Sequence, residues 1–263
     1  MELKDRVAVI TGGSGGIGRA MAKAFLHKGA EAVVIADLDE ELVERTAAQI
    51  GCGGRACDVT DEAQVAALVD AVLADHGRID LFCSNAGAAG GGDGPLIESG
   101  NDVWQRQWEL HVMAHLYAAR AVLPPMIERG EGYLLNTASA AGLLAAIGSG
   151  PYTVSKAAAV KLAEFISITH GDDGIKVSVL CPQGVNTAMA PRSLGDGQTD
   201  GIIEAEELAD VVIETLREER FYVLPHPEVG EYVRRKGDDV DRWLGGMRRL
   251  RRKARDAAGK GGS

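Results

Sequence analysis

The feature that most constrains this chain is a glycine-rich turn, TGGSGGIG from Thr11 to Gly18, set between an apolar run and an amphipathic segment. Glycines keep the backbone free of side chains, so the chain can leave a strand and enter a helix within a few residues. The same punctuation recurs. Apolar runs at Arg6–Ile10, Ala32–Asp37, Arg55–Asp58, Ile79–Ser84, Gly132–Thr137, Lys176–Cys181 and Phe221–Leu224 read as strands covered on both faces. Between them, Val65, Leu68, Val69, Val72 and Leu73 recur at helical spacing, as do Leu208, Val211, Val212, Thr215 and Leu216. Such alternation predicts an α/β fold, a single doubly wound domain with helices on both faces of a parallel sheet.

Composition narrows this further. The chain is 46% hydrophobic and 25% charged, an ordinary globular mixture, but only 5% aromatic, so Ala, Val, Leu and Ile must build the core. No Pro- or Ser-rich linker divides it, and the expected domain runs over 1–228, followed by a basic segment over 229–263. Cys52, Cys57, Cys83 and Cys181 form no CxxC pair and no zinc spacing, which fits reduced thiols in a cytoplasmic protein. The first ten residues lead directly into a strand rather than a leader, and no run of ~18 apolar residues occurs to span a membrane. The net charge of -10 argues against nucleic acid as the main partner. Ala86–Gly94 and Ala188–Gly201 are too rich in Gly and Asp for regular structure and read as functional loops.

A turn of this kind lets backbone amides approach a pyrophosphate, and the helix that follows presents its positive end. Thr11, Gly12, Ser14, Gly15, Gly16, Ile17 and Gly18 are therefore candidate cofactor contacts. Asp37 ends the second strand, where a carboxylate accepts hydrogen bonds from ribose hydroxyls and repels a 2′-phosphate. Its neighbours Ala36 and Leu38 offer no counter-charge, and the turn contains no Lys or Arg. NAD is the expected cofactor. The plain alternatives are a ligand-free glycine turn and a solvated strand-end carboxylate.

With these residues in view, the chain resembles the short-chain dehydrogenase/reductase family from about Leu3 to Thr187, and more loosely to Leu224. The turn fits its Thr-Gly-x-x-x-Gly-x-Gly loop, Asp58-Val59 its adenine-contacting pair, and Asn85-Ala86-Gly87 its Asn-Ala-Gly motif. Ser139, Tyr152 and Lys156 fit its catalytic Ser and Tyr-x-x-x-Lys, and Pro182, Val185 and Thr187 fit its Pro-Gly-x-Val-x-Thr. The resemblance implies a seven-stranded, mainly parallel Rossmann-type sheet, a homodimer or homotetramer, and ribose binding by Lys156.

The catalytic group also reads on its own terms. Tyr152 and Lys156 are four apart and share a helix face. A phenol titrates near ~10, and an adjacent ammonium together with an oxidised nicotinamide favours the phenolate. Tyr152 is then the general base or acid, and Ser139 holds the substrate oxygen. The expected reaction is hydride transfer between NAD(H) and a neutral, fairly hydrophobic secondary alcohol or ketone. A redox sensor or regulator with little turnover is the alternative.

Two positions depart from the family pattern. His111 stands seven residues after Trp104, where the family has an Asn thought to hold a relay water. Three readings are open: imidazole carries the proton relay, since it titrates near neutrality; the relay is impaired; or His111 is a core residue. His115 shares its face, but no third ligand is spaced for a metal, and none is expected. Gln183 replaces a glycine and is a candidate substrate contact.

The segment Ala140–Ile147 is small and apolar, without a cation to pair an anionic substrate, and the Ala88–Gly92 run leaves space. Arg192, in the loop before Leu194, is the exception, able to bind a carboxylate or phosphate on closure of that loop. From Tyr232 onward, eleven Lys and Arg stand against four Asp and Glu, a net of +7. Val240, Trp243, Leu244, Met247 and Leu250 mark a helical stripe that packs on its own subunit or a neighbour. A basic amphipathic helix can also contact anionic membrane or nucleic acid, but neither is expected as the partner.

Overall fold

A computed structural model of the chain describes residues 1–88, 96–187 and 200–260, with side chains as far as 256. The strands are β1 (Val7–Thr11), β2 (Ala32–Asp37), β3 (Gly53–Ala56), β4 (Leu81–Ser84), β5 (Gly132–Thr137), β6 (Ile175–Leu180), β7 (Gly184–Asn186), β8 (Ile202–Glu204) and β9 (Tyr222–Val223). The helices are α1 (Gly16–His27), α2 (Glu40–Ile50), α3 (Glu62–His76), α4 (Asn101–Trp108), α5 (Ala114–Arg129), α6 (Ala140–Leu144), α7 (Gly150–His170), α8 (Ala205–Glu218), α9 (Glu228–Asp238) and α10 (Val240–Lys260). Seven strands form one parallel sheet in the order β3-β2-β1-β4-β5-β6-β9. This is the expected doubly wound Rossmann-type fold.

Alternation within each strand divides the core in two. Val7 and Val9 of β1 face a cluster with α3, α5 and α7, while Ala8 and Ile10 face one with α1 and α8. Asp39 and Asp61 cap α2 and α3 by accepting the N–H groups of Leu42, and of Ala63 and Gln64. Winding reverses between β1 and β4, so the connections leaving their carboxyl ends run to opposite faces of the sheet and open a crevice. Thr11 and Ser84 sit at its lip.

Two details differ from expectation. The third strand is Gly53–Ala56 rather than Arg55–Asp58. Two glycines are poor strand formers, but a Cβ on Gly54 would lie 2.8 Å from Ala47 Cβ, so a bare backbone there lets α2 lie close. Gly184–Asn186 and Ile202–Glu204 pair as a separate parallel ribbon, fastened by Asn186 Nδ2 to both Glu204 carboxylate oxygens at 2.9 and 3.0 Å. The loop expectations at Ala86–Gly94 and Ala188–Gly201 fall largely outside the described residues, as does Arg192. Among the described residues, no helix is long and apolar enough to cross a membrane.

Asp80, just before β4, is buried and accepts from Val7 N at 2.8 Å, Arg78 Nε at 2.9 Å and Arg6 Nη1 at 3.4 Å. Removing the carboxylate strands the buried Val7 N–H and takes one partner from each of Arg6 and Arg78, which keep Glu131 and Glu31. Asp80→Ala is expected to lower unfolding free energy by about 3 kcal/mol, with Asp80→Asn costing less, as read by urea titration.

Candidate active site

The glycine turn closes over the crevice without room for side chains. Gly12 takes φ +63°, and a Cβ there would stand 2.8 Å from Ala86 Cα. A Cβ on Gly18 would meet Gly12 O at 2.3 Å, and one on Gly16 would meet Thr187 Cγ2 at 2.4 Å. Gly15 N–H closes the turn onto Gly12 O at 3.3 Å, with Ile17 in the first turn of α1. Asp37 leans over this turn from the end of β2. One of its oxygens accepts Ser14 N–H at 3.0 Å, the other Leu38 N–H at 2.9 Å, and the Leu38 side chain is exposed.

Thr11 and Asn85 tie the strand ends together. Thr11 Oγ1 accepts Asn85 N–H at 3.0 Å and Ala86 N–H at 3.1 Å, and donates to Cys83 O at 3.4 Å. Asn85 Nδ2 donates to Thr11 O at 3.0 Å, while its Oδ1 accepts from Thr137 Oγ1 at 3.1 Å. Farther along the crevice, Asp58 folds its own turn by accepting Thr60 N–H at 2.9 Å, and Val59 is buried beside it.

The three residues of the catalytic pattern converge from different elements. Ser139 caps α6 after β5, with Oγ accepting Ala141 N–H at 3.1 Å. Tyr152 and Lys156 project from the first turns of α7. Ser139 hydrogen-bonds the Tyr152 phenol, and Lys156 Nζ lies 5.8 Å from the Tyr152 ring centre. Lys156 is buried and donates to Thr137 O at 2.9 Å. Burial drives the Lys156 ammonium down to about 7. It also pushes the Tyr152 phenol above its ordinary value, outweighing the Ser139 bond. The expected depression of Tyr152 is therefore absent from the polypeptide by itself.

His111 occupies a single π-helical turn, Glu109–Met113, between α4 and α5, of the kind often found at functional sites. Nε2 accepts Ala88 N–H at 3.3 Å. That leaves the ring proton on Nδ1, which donates to Ser155 Oγ at 3.0 Å, and Ser155 in turn donates to Tyr152 O at 3.0 Å. The ring also meets Tyr152 edge-on, with centres 5.5 Å apart. Burial first, then the Lys156 charge, holds the imidazole at about 2. This corrects the reading in which it titrates near neutrality: both nitrogens are engaged and the ring stays neutral. His115 is buried, with no partner at either nitrogen among the described residues, and is held at about 3, chiefly by burial.

Pro182 O accepts from Ala140 N–H at 2.9 Å and from Ser139 Oγ at 3.5 Å, while Val185 is buried in β7. Gln183 is drawn aside. Its Nε2 donates to Asp200 at 2.7 Å, and Asp200 also accepts from Tyr232 Oη of α9 at 2.8 Å. Gln183 then joins Leu144 and Ala145 along a cavity of about 550 Å³ whose far wall is α9 and α10.

Arg235, Arg242 and Arg249 all line that wall. The tail stripe divides there, with Trp243, Met247 and Leu250 on the cavity and Val240 and Leu244 exposed. The seven-residue spacing of the three arginines was a legible signal. Thr137, Ser155, Asp200 and Tyr232 carried none.

The doubly wound sheet thus carries, at its carboxyl edge, a glycine turn collared by an acid and a cluster of Ser139, Tyr152 and Lys156. The short chain dehydrogenase family matches residues 6–196. A 1-deoxy-11-beta-hydroxypentalenate dehydrogenase of Streptomyces exfoliatus is 36% identical over 251 residues, 91% of this chain and 90% of that protein. The (+)-borneol dehydrogenase 1 of Salvia officinalis is 34% identical, covering 77% of each chain. A short chain dehydrogenase/reductase from Burkholderia phymatum, solved with NAD, superposes with a TM-score of 0.82 at 32% identity, over 92% of this chain and 96% of that one. The chain belongs to the short-chain dehydrogenase family and is an oxidoreductase.

Below their ordinary value of ~6.5, both histidines bind protons in the unfolded chain but not in the native one, so stability falls as pH is lowered from about 6.5 towards 3. Each contributes a slope of about 1.4 kcal/mol per pH unit. His115→Leu is expected to remove one such slope between pH 6 and pH 4, measured by urea unfolding at each pH.

Proposed function

We propose that the protein interconverts a secondary alcohol and its ketone with NAD(H), using Tyr152 as general acid/base. The observation that carries this is the convergence of Ser139, Tyr152 and Lys156 beside a glycine turn collared by Asp37. The residues fit a dinucleotide: a Cβ at Gly12, Gly16 or Gly18 would collide with neighbouring atoms, so the turn presents bare backbone there, and the Asp37 carboxylate stands over it on Ser14 N–H. Thr11, Gly12, Ser14, Gly15, Gly16, Ile17 and Gly18 would hold the pyrophosphate, with Asp37 and Leu38 at the adenosine ribose. Asp58, Val59, Asn85, Ala86 and Gly87 would line its length, and Pro182, Val185 and Thr187 its nicotinamide end. NAD, when bound, supplies the hydride acceptor and a positive charge.

The chain supplies the proton chemistry. Ser139 Oγ–H donates to the substrate oxygen and fixes it against the Tyr152 phenol. Tyr152 takes the hydroxyl proton during oxidation and returns it during reduction. Lys156, held on Thr137 O, lies near enough to favour the phenolate when charged, and binds ribose hydroxyls. His111 is a positioning residue: it holds Ala88 at one nitrogen and braces the first turn of α7 through Ser155. The apolar segment after Ser139, and relatives named for hydroxypentalenate and borneol, support a hydrophobic alcohol. Assembly as a homodimer or homotetramer and a cytoplasmic location accompany this reading.

Tyr152→Phe is expected to lower kcat by about 10²–10⁴-fold while NADH affinity, by fluorescence titration, holds. Since oxidation needs the phenolate and burial raises its pKa, kcat/KM for the alcohol should climb with pH above 7, while that for the ketone falls. His111→Gln should reduce both rates yet leave the shape of these profiles unchanged, because the native imidazole does not titrate in that range. A profile displaced by that substitution would restore the relay. Asp37→Ala should weaken NAD⁺ binding and admit NADP⁺.

A further inference from the structure

We propose that the cavity between α6 and the α9–α10 pair is the distal half of the substrate site, and that it takes a hydrophobic alcohol or ketone bearing a remote carboxylate. The proposal rests on the reading of Ser139 and Tyr152 as the reacting end. Ser139 caps α6, and Leu144 at the other end of that helix lines the cavity. Five helical steps separate them, about 7.5 Å along the axis. Gln183, one residue beyond the carbonyl that Ser139 meets, lines it too. A volume of about 550 Å³ falls in the range of small-molecule sites.

The lining is amphipathic in a directed way. Trp243, Met247 and Leu250 give it an apolar flank, while Arg242 and Arg249 stand on the same wall, two turns and about 10.5 Å apart. Neither guanidinium has an ion-pair partner among the described residues, whereas Arg235 is committed to Glu231 at 2.9 Å. Of the two carboxylates on the lining, Asp239 is engaged as the cap of α10, accepting Arg242 N–H at 2.9 Å, and Asp238 is exposed. Along α10, Arg248, Arg251, Arg252, Lys253 and Arg255 add positive charge against Asp241 and Asp256 alone. In a chain of net charge -10, this local excess of cations is what an anionic group would meet.

Gly246 sharpens the argument. Glycine inside a helix is less favourable than alanine, and among the described residues no backbone crowds this position. A Cβ on Gly246 would meet only the Arg249 side-chain end, at 3.8 Å. Gly246 lines the cavity between the two arginines, so the missing side chain keeps open the space through which a carboxylate reaches both. Lys236 Nζ, bonded to Leu143 O at 2.5 Å, fastens α9 to α6 and so holds this wall against the reacting half.

The test is calorimetric titration of the full-length, NAD⁺-saturated protein with decanoate and, separately, with its neutral counterpart decanamide. Decanoate should bind about tenfold more tightly, a difference of ~1.4 kcal/mol. Arg242→Gln combined with Arg249→Gln should reduce that preference to within twofold. Arg248→Gln removes the same charge from the same helix outside the cavity and should leave the preference intact. Equal affinities, binding of neither probe, persistence of the preference in the double variant, or its loss in Arg248→Gln would each overturn the proposal. A probe that shifts sedimentation towards a larger species, with the preference following protein concentration, would assign the arginines to contact between copies instead. The catalytic reading fails separately: it falls if NAD⁺ itself does not bind or if Tyr152→Phe keeps full turnover, whatever decanoate does.

Discussion

The crevice depends on one small knot. The Thr11 hydroxyl accepts two backbone N–H groups from the end of β4, while the Asn85 amide returns to Thr11 O and reaches Thr137 at the end of β5. These bonds lock three adjacent strand ends in register at the point where the winding reverses. Lys156 then hangs from Thr137 O, so the position of its ammonium is inherited from the knot. A threonine and an asparagine suit this task because each donates and accepts from a short side chain. Longer polar groups would intrude on the space the glycine turn keeps clear.

Burial sets the electrostatics of the site more strongly than proximity does. A cation beside a phenol favours the phenolate only while it remains charged, and desolvation draws the Lys156 ammonium down to about 7. The same low-dielectric surroundings push Tyr152 upward. The polypeptide thus holds its acid/base pair in the uncharged direction, and an additional positive charge entering the cleft acts on both groups together. His111 fits this economy of charge. A neutral imidazole with both nitrogens engaged stabilises local geometry without adding a second cation beside Lys156.

Much of this was legible from residue pattern alone. Most strand runs express local rules, which is why they read correctly without tertiary context, and spacing alone singled out the glycine turn, Asp37, Ser139, Tyr152 and Lys156, which the fold brings to one crevice. What escaped was set by long-range packing. Gly53–Ala56 became a strand because β2 offered an edge and α2 needed a close approach, not because glycine favours strands. The π-helical turn at His111 leaves no compositional trace, and neither does the burial that removes its basicity. The tail's charge was plain, but its destination was not: only the fold brings Arg242 and Arg249 round to the Leu144 end of α6.

That last point bears on how such a frame acquires selectivity. The crevice between β1 and β4 is fixed by backbone geometry and tolerates little change, because a Cβ at Gly12, Gly16 or Gly18 would collide with it. The helices after β9 carry no such constraint. They meet the sheet domain at few points, among them Lys236 on Leu143 O and Tyr232 on Asp200. Side chains on their inner face can therefore change size and charge without disturbing the knot at Thr11 or the pair at Tyr152 and Lys156. In this chain that face carries guanidinium groups, a tryptophan and a vacant glycine position, and chemistry at the buried end is separated from recognition at the exposed end by the length of one short helix.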